Sequence, residues 1–211
     1  QVEAIKKGAG GDSFIVTSGT GSGKSLTFLA TIFSDLLKNN YTSGIKAILV
    51  YPMNALINSQ EEEIKKYAEN YKQETNKDFP LTFAKYTGQE SGDERENAKN
   101  NPPDIILTNY MMLELIMTRA SERLMRDSIF NNLKYLVFDE LHTYRGRQGA
   151  DVSLLIRRIQ ASSTNDLICI GTSATMASGG DLKDQKLAVA KVGKQIFDKI
   201  CIIASFLPFL R

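Results

Sequence analysis

The segment SFIVTSGTGSGKS, residues 13–25, is the strongest indication of the fold class of this 211-residue chain. It begins as an apolar, β-branched run, continues with glycines at three alternate positions and ends in Gly23-Lys24-Ser25, after which an amphipathic helical pattern starts. Glycines at this spacing let the backbone turn tightly and point its N–H groups inward, and a helix N-terminus adds further donors for an anion. The stretch therefore predicts a loop that binds the phosphates of a nucleotide.

The residues of this loop have separate expected roles. We expect Lys24 to neutralise the β- and γ-phosphate oxygens of the nucleotide, and Ser25 to offer its hydroxyl to Mg²⁺. The strict phosphate-loop pattern has glycine at position 18, where this chain has Ser18. The predicted nucleotide-binding residues of the loop are Ser18, Gly19, Thr20, Gly21, Ser22, Gly23, Lys24 and Ser25. Kinases, transporters, secretion motors and helicases all use such loops, so a second site has to choose among them.

Apolar, β-rich runs alternate with amphipathic helical patterns along the whole chain. Six runs are predicted to be strands, at residues 13–18, 46–52, 81–87, 104–110, 133–140 and 166–175. Most are continuously hydrophobic, which is typical of strands buried on both faces. The pattern predicts an α/β fold, a three-layer P-loop nucleoside triphosphatase with a parallel sheet, in a single domain over residues 1–211. Functional side chains are then expected at the carboxyl ends of the strands.

Several segments between the strands carry more specific expectations. The helix after the phosphate loop is predicted to bury one stripe, formed by Leu26, Leu29, Ile32, Phe33, Leu36 and Leu37. The polar segment 88–103 has no apolar periodicity and is predicted to be a surface excursion with one frayed helix. After residue 180 we expect one more helix and a closing strand.

Composition limits the possible partners. The formal net charge is only +2, so any binding of nucleic acid has to rest on local groups. Cys169 and Cys201 lie in apolar runs and are expected to be buried free thiols in a reducing compartment. No apolar run approaches the ~18 residues of a membrane span, so no membrane partner is expected. The chain begins without methionine, and we expect it to be a cytoplasmic fragment of a longer protein.

A second site is indicated by LVFDELHTYRGRQGAD, residues 136–151. Asp139 emerges at the end of a buried strand, where P-loop enzymes hold a metal ion, and Glu140 follows it directly. We assign Asp139 to the metal side and Glu140 to the general base that orients the attacking water. The alternative is that these two acids are only the polar end of a strand.

These motifs stand in an order that resembles superfamily 2 helicases. The further motifs in that order are YPMNALINSQ at 51–60, YTGQ at 86–89, LTNYMMLE at 107–114, DELH at 139–142 and GTSATM at 171–176. Superfamily 2 tolerates serine at position 18. The longer segment 138–159 resembles more narrowly the bacterial YprA/MrfA-like DExH helicases, and large phage-defence helicases share similar segments. The resemblance implies the first RecA-like lobe of an ATP-dependent helicase.

The resemblance also implies roles for individual residues. Gln1 would read the adenine, Lys24 and Ser25 would serve phosphate and Mg²⁺, and Asp139 and Glu140 would serve Mg²⁺ and the hydrolytic water. The residues that would couple the nucleotide site to a second lobe and to the bound strand are His142, Ser173 and Thr175. The residues that would face nucleic-acid phosphates, with DNA favoured over RNA, are Asn54, Thr87, Gly88, Thr108 and Asn109.

Some alternatives stay open at the level of single residues. The alternative for Thr87-Gly88, which we favour less than nucleic-acid contact, is a simple turn, and the alternative for Asn54 is a helix cap. His142 on its own would be read as a packed core residue. For Arg145 and Arg147, a solvated turn without a functional role is as good an interpretation as a functional one.

The function of the whole protein also has rival readings. They are a double-strand DNA translocase of a restriction or defence system, and a secretion-type P-loop ATPase. We expect the second RecA-like lobe, with its catalytic arginines, to lie outside this sequence, so that these 211 residues alone bind ATP weakly and hydrolyse it slowly.

Overall fold

The computed structural model describes residues 10–18, 23–39, 41–174, 182–199 and 201–205. Within them, seven parallel strands form one sheet in the order β3-β4-β2-β5-β6-β1-β7. The strands are β1 Phe14–Ser18, β2 Ala47–Val50, β3 Phe83–Tyr86, β4 Ile105–Thr108, β5 Tyr135–Phe138, β6 Ile168–Ala174 and β7 Ile202–Ser205. All six predicted strands and the predicted closing strand are confirmed.

Helices connect the strands, as parallel pairing requires. They are α1 Lys24–Lys38, α2 Asn54–Thr75, α3 Gly92–Asn100, α4 Tyr110–Thr118, α5 Arg123–Asn132, α6 Gly146–Ser162 and α7 Leu182–Phe197. Two short 3-10 turns, Ala120–Glu122 and Leu141–Thr143, precede α5 and α6. The helix expected after residue 180 is α7.

The sheet is buried on both faces, which explains the continuous apolar runs. In β5, Leu136 and Phe138 belong to one hydrophobic cluster, and Tyr135 and Val137 belong to a second cluster on the opposite face. Successive side chains of a strand point to opposite faces, so a strand covered on both sides is apolar at every position. The expected three-layer α/β architecture is confirmed.

The predicted stripe on α1 is only partly correct. Leu29, Ile32 and Leu36 are buried, but Leu26 and Leu37 are 38% and 37% exposed. The buried face is centred on Phe28 and Ile32, and at about 100° per residue Leu26 and Leu37 lie nearly opposite to it.

The polar segment 88–103 contains the firmly capped helix α3, so the expectation of a frayed helix is wrong. The Ser91 hydroxyl accepts the N–H of Glu94 at 3.3 Å, and the Glu94 carboxylate accepts the N–H of Ser91 at 3.0 Å. This reciprocal capping box satisfies backbone donors that otherwise lack a partner at a helix start. Side-chain capping thus stabilises the start of α3, although the segment has no apolar periodicity.

Both cysteines are free, and Cys169 is buried while Cys201 is partly exposed. Burial raises the pKa of Cys169 to about 11, so its thiol stays protonated at neutral pH. Among the described residues, no helix is long and apolar enough to cross a membrane.

Candidate nucleotide and nucleic-acid sites

Strand order places the two predicted halves of the nucleotide site beside each other. Strand β6 lies between β5 and β1, with Phe138 opposite Gly171 and Thr17 opposite Ser173. The carboxyl ends of β1 and β5 therefore lie at the same edge of the sheet, with β6 between them. This is the edge at which open α/β sheets bind ligands.

The start of α1 supplies the cationic side of the site. Gly23 precedes the helix in a left-handed conformation with φ of +70°, which favours glycine. Lys24 is the first residue of α1 and only 8% exposed, and its Nζ lies 3.5 Å from Oε1 of Glu140. Ser25 is partly exposed in the same first turn. Gln1, residues 19–22 and the side chain of Ser18 lie outside the described part of the structure.

A backbone turn separates the two adjacent acids. The N–H of Asp139 still donates to the carbonyl of Val50 at 2.8 Å and so continues the sheet. Glu140 has φ of +52° and ψ of +54°, a left-handed conformation that ends the strand. On an extended strand the two carboxylates would point to opposite faces, but the turn leaves Asp139 against β6 and brings Glu140 to Lys24.

Thr172 is a site residue that sequence reasoning missed. Its hydroxyl donates to Oδ1 of Asp139 and accepts the backbone N–H of Glu140 at 3.0 Å. The side chain is fully buried on β6. The sequence signal was the pair of hydroxyl residues at 172 and 173, but only the second of them belongs to the helicase motif. Ser173 is 3% exposed, and Thr175 lies beyond the described residues.

The environment of Asp139 favours a bound cation. Burial raises the pKa of the Asp139 carboxyl above its ordinary value, and the charge of Glu140 adds to the shift, against the Thr172 hydrogen bond and the charge of Lys24. Among the described residues, no cluster of three or more metal-ligating side chains occurs. Mg²⁺ bound together with nucleotide phosphates needs only one or two carboxylates, so Asp139 with the Ser25 hydroxyl fits this ion.

His142 faces the acids and not the core. Its side chain is 30% exposed, and its Nδ1 lies 3.1 Å from Oε2 of Glu140. The alternative of a core-packed histidine is therefore wrong. Arg145 and Arg147 are both exposed, as expected for a solvated turn, but Nε of Arg145 also donates to the carbonyl of His142 at 2.7 Å.

The residues predicted to face nucleic acid lie at or just after the carboxyl ends of β2, β3 and β4, which are neighbours in the sheet. Nδ2 of Asn109 donates to Oδ1 of Asn54 at 2.9 Å, and Oδ1 of Asn109 caps α4 by accepting the N–H of Met112 at 2.9 Å. Asn54 is the first residue of α2, and no side chain caps that helix. The alternative that Asn54 is a cap is wrong.

The prediction that Thr108 faces a phosphate is wrong for its side chain. Thr108 is fully buried, and its hydroxyl donates to the carbonyl of Tyr86 at 2.6 Å, because β3 covers it at the end of β4. Thr87 and Gly88 form a tight turn whose donors point to the Glu90 carboxylate. Thr87-Gly88 is thus a turn, as the alternative interpretation states, and its contact with nucleic acid stays a prediction.

The carboxyl edge thus joins a phosphate-loop lysine, two strand-end acids and a row of polar residues. The sequence model for DEAD/DEAH box helicases matches residues 1–182. The chain belongs to the DEAD/DEAH box helicase family. Its seven-stranded parallel sheet is the fold of a RecA-like helicase lobe.

Individual relatives agree with this assignment. This helicase lobe is 31% identical over 159 residues to an uncharacterized ATP-dependent helicase of Methanocaldococcus jannaschii, covering 75% of the lobe and 22% of the relative. It is 29% identical over 178 residues to the uncharacterized ATP-dependent helicase YprA of Bacillus subtilis, covering 83% and 22%. A crystal structure of the DUF1998 helicase MrfA bound to DNA superimposes with a TM-score of 0.79 at 25% identity, covering 97% and 25%. The narrower resemblance to YprA and MrfA is confirmed, and the chain spans about a fifth of the length of the curated relatives it matches.

Proposed function

We propose that this lobe binds ATP and, together with a second RecA-like lobe, hydrolyses it to drive translocation along nucleic acid or its unwinding. The relatives named above are called ATP-dependent helicases, and the MrfA structure contains DNA, which favours DNA over RNA as the polymer. The observation that carries the proposal is the 3.5 Å contact between Lys24 and Glu140. Thr172, on the strand β6 that lies between β1 and β5, bonds the neighbouring Asp139.

The geometry supports a distinct task for each side chain. Lys24 at the start of α1 is positioned to neutralise charge on the transferred phosphate, where the helix N-terminus adds its own partial positive charge. Glu140, released from the strand by its left-handed turn, is positioned to orient and deprotonate a water molecule. When Mg²⁺ is bound, it adds positive charge at the phosphates, and Asp139 and Ser25 are the residues to hold it.

The Lys24–Glu140 contact also implies a rearrangement when nucleotide binds. The ammonium group and the general base contact each other directly, so nucleotide phosphate has to separate them before water can be oriented. His142 at 3.1 Å from the same carboxylate is positioned to pass that change to the second lobe.

The test is Glu140→Gln in the full-length protein. We expect ATP to bind as in the wild type, while kcat for nucleic-acid-stimulated hydrolysis falls by about a hundredfold or more, the usual contribution of a general base. Asp151→Asn, an equal charge change at an exposed position of α6, is the matched control and keeps full turnover. Retained hydrolysis in the Glu140 variant would contradict the assignment. Stimulation by oligo(dT) compared with oligo(rU) decides between DNA and RNA.

A further inference from the structure

The carboxylate of Glu90 is held by donors that the family resemblance assigns to nucleic acid. The N–H of Thr87 donates to both carboxylate oxygens at 2.9 and 3.0 Å, its hydroxyl donates at 2.6 Å and the N–H of Gly88 donates at 2.8 Å. Thr87 is 8% exposed, and Gly88 has φ of +87°, a left-handed conformation that favours glycine. Three donor groups therefore converge on one anion.

This cradle fits a phosphate as well as it fits a carboxylate. Successive backbone N–H groups in a turn that includes a left-handed residue form a small anion-binding concavity, and a hydroxyl completes it. Both anions present acceptor oxygens of similar size and charge, and hydrogen bonds to a charged acceptor are the strong ones. One cradle cannot hold both anions at once.

We propose that Glu90 is an internal competitor of the nucleic-acid backbone: its carboxylate fills the Thr87–Gly88 cradle until a phosphate displaces it. The inference rests on the proposed function, since it concerns the binding of nucleic acid by this lobe. It assigns to Glu90 the role of lowering affinity at this contact, which helps a motor to release the strand in each cycle.

Glu90 is free to leave because the helix that follows does not depend on it. The capping box of α3 uses Ser91 and Glu94. The body of α3 is fixed separately, because Arg95 bonds both the Tyr86 hydroxyl and the buried Glu122 at 3.1 Å. Rotation of the Glu90 side chain therefore opens the cradle without unwinding α3.

Glu90 is charged when it occupies the cradle. Burial opposes the charged form, but the hydrogen bonds from Thr87 and Gly88 outweigh burial and hold the pKa of Glu90 below its ordinary value. At neutral pH the incoming phosphate thus meets a bound anion and not a neutral acid.

The test compares full-length wild type and Glu90→Gln for binding to a short fluorescent oligo(dT), over a range of NaCl concentrations. Loss of the competing carboxylate should tighten oligo(dT) binding by about tenfold. This increase in affinity should persist at high salt, because salt does not screen direct competition for the same hydrogen-bond donors. Glu94→Gln is the matched control, since it removes the same charge four residues later, keeps the capping box and leaves the cradle untouched. The increase in oligo(dT) affinity of Glu94→Gln should be small and should vanish at high salt.

Two further variants make the result decisive. In Thr87→Val/Glu90→Gln the gain should be lost, because the cradle lacks its hydroxyl. Glu90→Ala removes all four hydrogen bonds and should also tighten oligo(dT) binding. It takes the place of Glu90→Gln if circular dichroism shows that Glu90→Gln is unfolded. If wild type binds and both Glu90 variants bind equally or more weakly, the inference is overturned and the proposed function stands. If neither wild type nor variants bind, the proposed function fails, and the inference fails with it.

Discussion

Thr172 on β6 holds both acids that follow β5: its hydroxyl donates to Asp139 and accepts the backbone N–H of Glu140 at 3.0 Å. One fully buried side chain thus fixes both the carboxylate that we propose holds the metal and the backbone of the proposed general base. Because β6 also pairs with β1, the same strand links the acids to the phosphate-loop side of the site.

Thr172→Val removes this hydroxyl with almost no change in volume. We expect kcat for ATP hydrolysis to fall about tenfold to a hundredfold, the usual effect of losing a group that orients a metal-binding carboxylate. The Mg²⁺ concentration that gives half the maximal rate should rise, which a merely structural role would not cause. Steady-state ATPase assays of the full-length protein with varied Mg²⁺ measure both effects.

Two controls accompany the Thr172 experiment. Thr172→Ser keeps the hydroxyl and should restore most of the activity. Thr27→Val makes the same chemical change at a buried threonine whose hydroxyl has no hydrogen-bond partner among the described residues, and it should be neutral. Equal activity of Thr172→Val and wild type would contradict the positioning role.

Asp139→Asn should stabilise the protein while it abolishes hydrolysis. A carboxyl whose pKa is raised by burial is unfavourable to the folded state at every pH above its native pKa, and this cost disappears below the ordinary pKa. Asparagine carries no charge, so we expect a gain of about 1 kcal/mol at neutral pH, typical of relieving a destabilised active site. Thermal unfolding at several pH values measures the gain, which should shrink as the pH falls toward the ordinary carboxyl pKa. No gain at neutral pH would contradict the origin of the shift.

Glu122→Gln should destabilise the fold. The Glu122 side chain is 1% exposed, accepts the Tyr86 hydroxyl at 2.5 Å and pairs with Arg95 at 3.1 Å and Lys99 at 3.6 Å. Breaking a buried charge network by removing one partner costs about 3 kcal/mol. Chemical denaturation at neutral pH measures the loss, with Glu96→Gln, which breaks only an exposed pair with Lys99, as the near-neutral control.

The Glu122 contribution should also depend on pH. Burial raises the pKa of Glu122, but the hydrogen bonds from Tyr86 and Arg95 outweigh burial and hold that pKa below its ordinary value. A carboxyl with a lowered native pKa stabilises the fold above its ordinary pKa, and this stability is lost as the pH falls through the native pKa. The difference between wild type and Glu122→Gln should therefore narrow in acid. A difference that stays constant down to strongly acidic pH would point to packing and not to charge.

Asn109→Ala should cost about 1 kcal/mol of unfolding free energy, because it removes the N-cap of α4. Asn109→Asp keeps a capping oxygen and should recover most of that loss. Asn54→Ala removes only the acceptor of the Asn109 amide and should cost less than the loss of the cap. Urea denaturation of the three variants ranks these effects, and an equal cost for Asn54→Ala and Asn109→Ala would show that their mutual bond carries the stability.

Much of the fold was predictable because it depends on local patterns. Continuous apolar runs such as residues 135–138 indicated strands buried on both faces, and the alternation of strands with amphipathic helices indicated a parallel sheet. Residue type and spacing alone indicated the phosphate loop and the Asp139-Glu140 pair, and the structure brings Lys24 and Glu140 together. Errors appeared where periodicity was ambiguous, as for Leu26 on α1, or where capping replaced periodicity, as for α3.

The α/β class, the seven strands and the helicase family were all predictable from the sequence, because the composition of each segment and the order of the motifs carry that information. The folded chain was needed to show that Thr172 bonds Asp139, that Thr108 is buried against Tyr86 and that Glu90 fills the Thr87–Gly88 cradle. A hydroxyl or a carboxylate does not reveal its partner in the sequence, since the partner is chosen by strand order, by register and by the direction in which a backbone turn points the side chain. Those three quantities exist only after the sheet has formed.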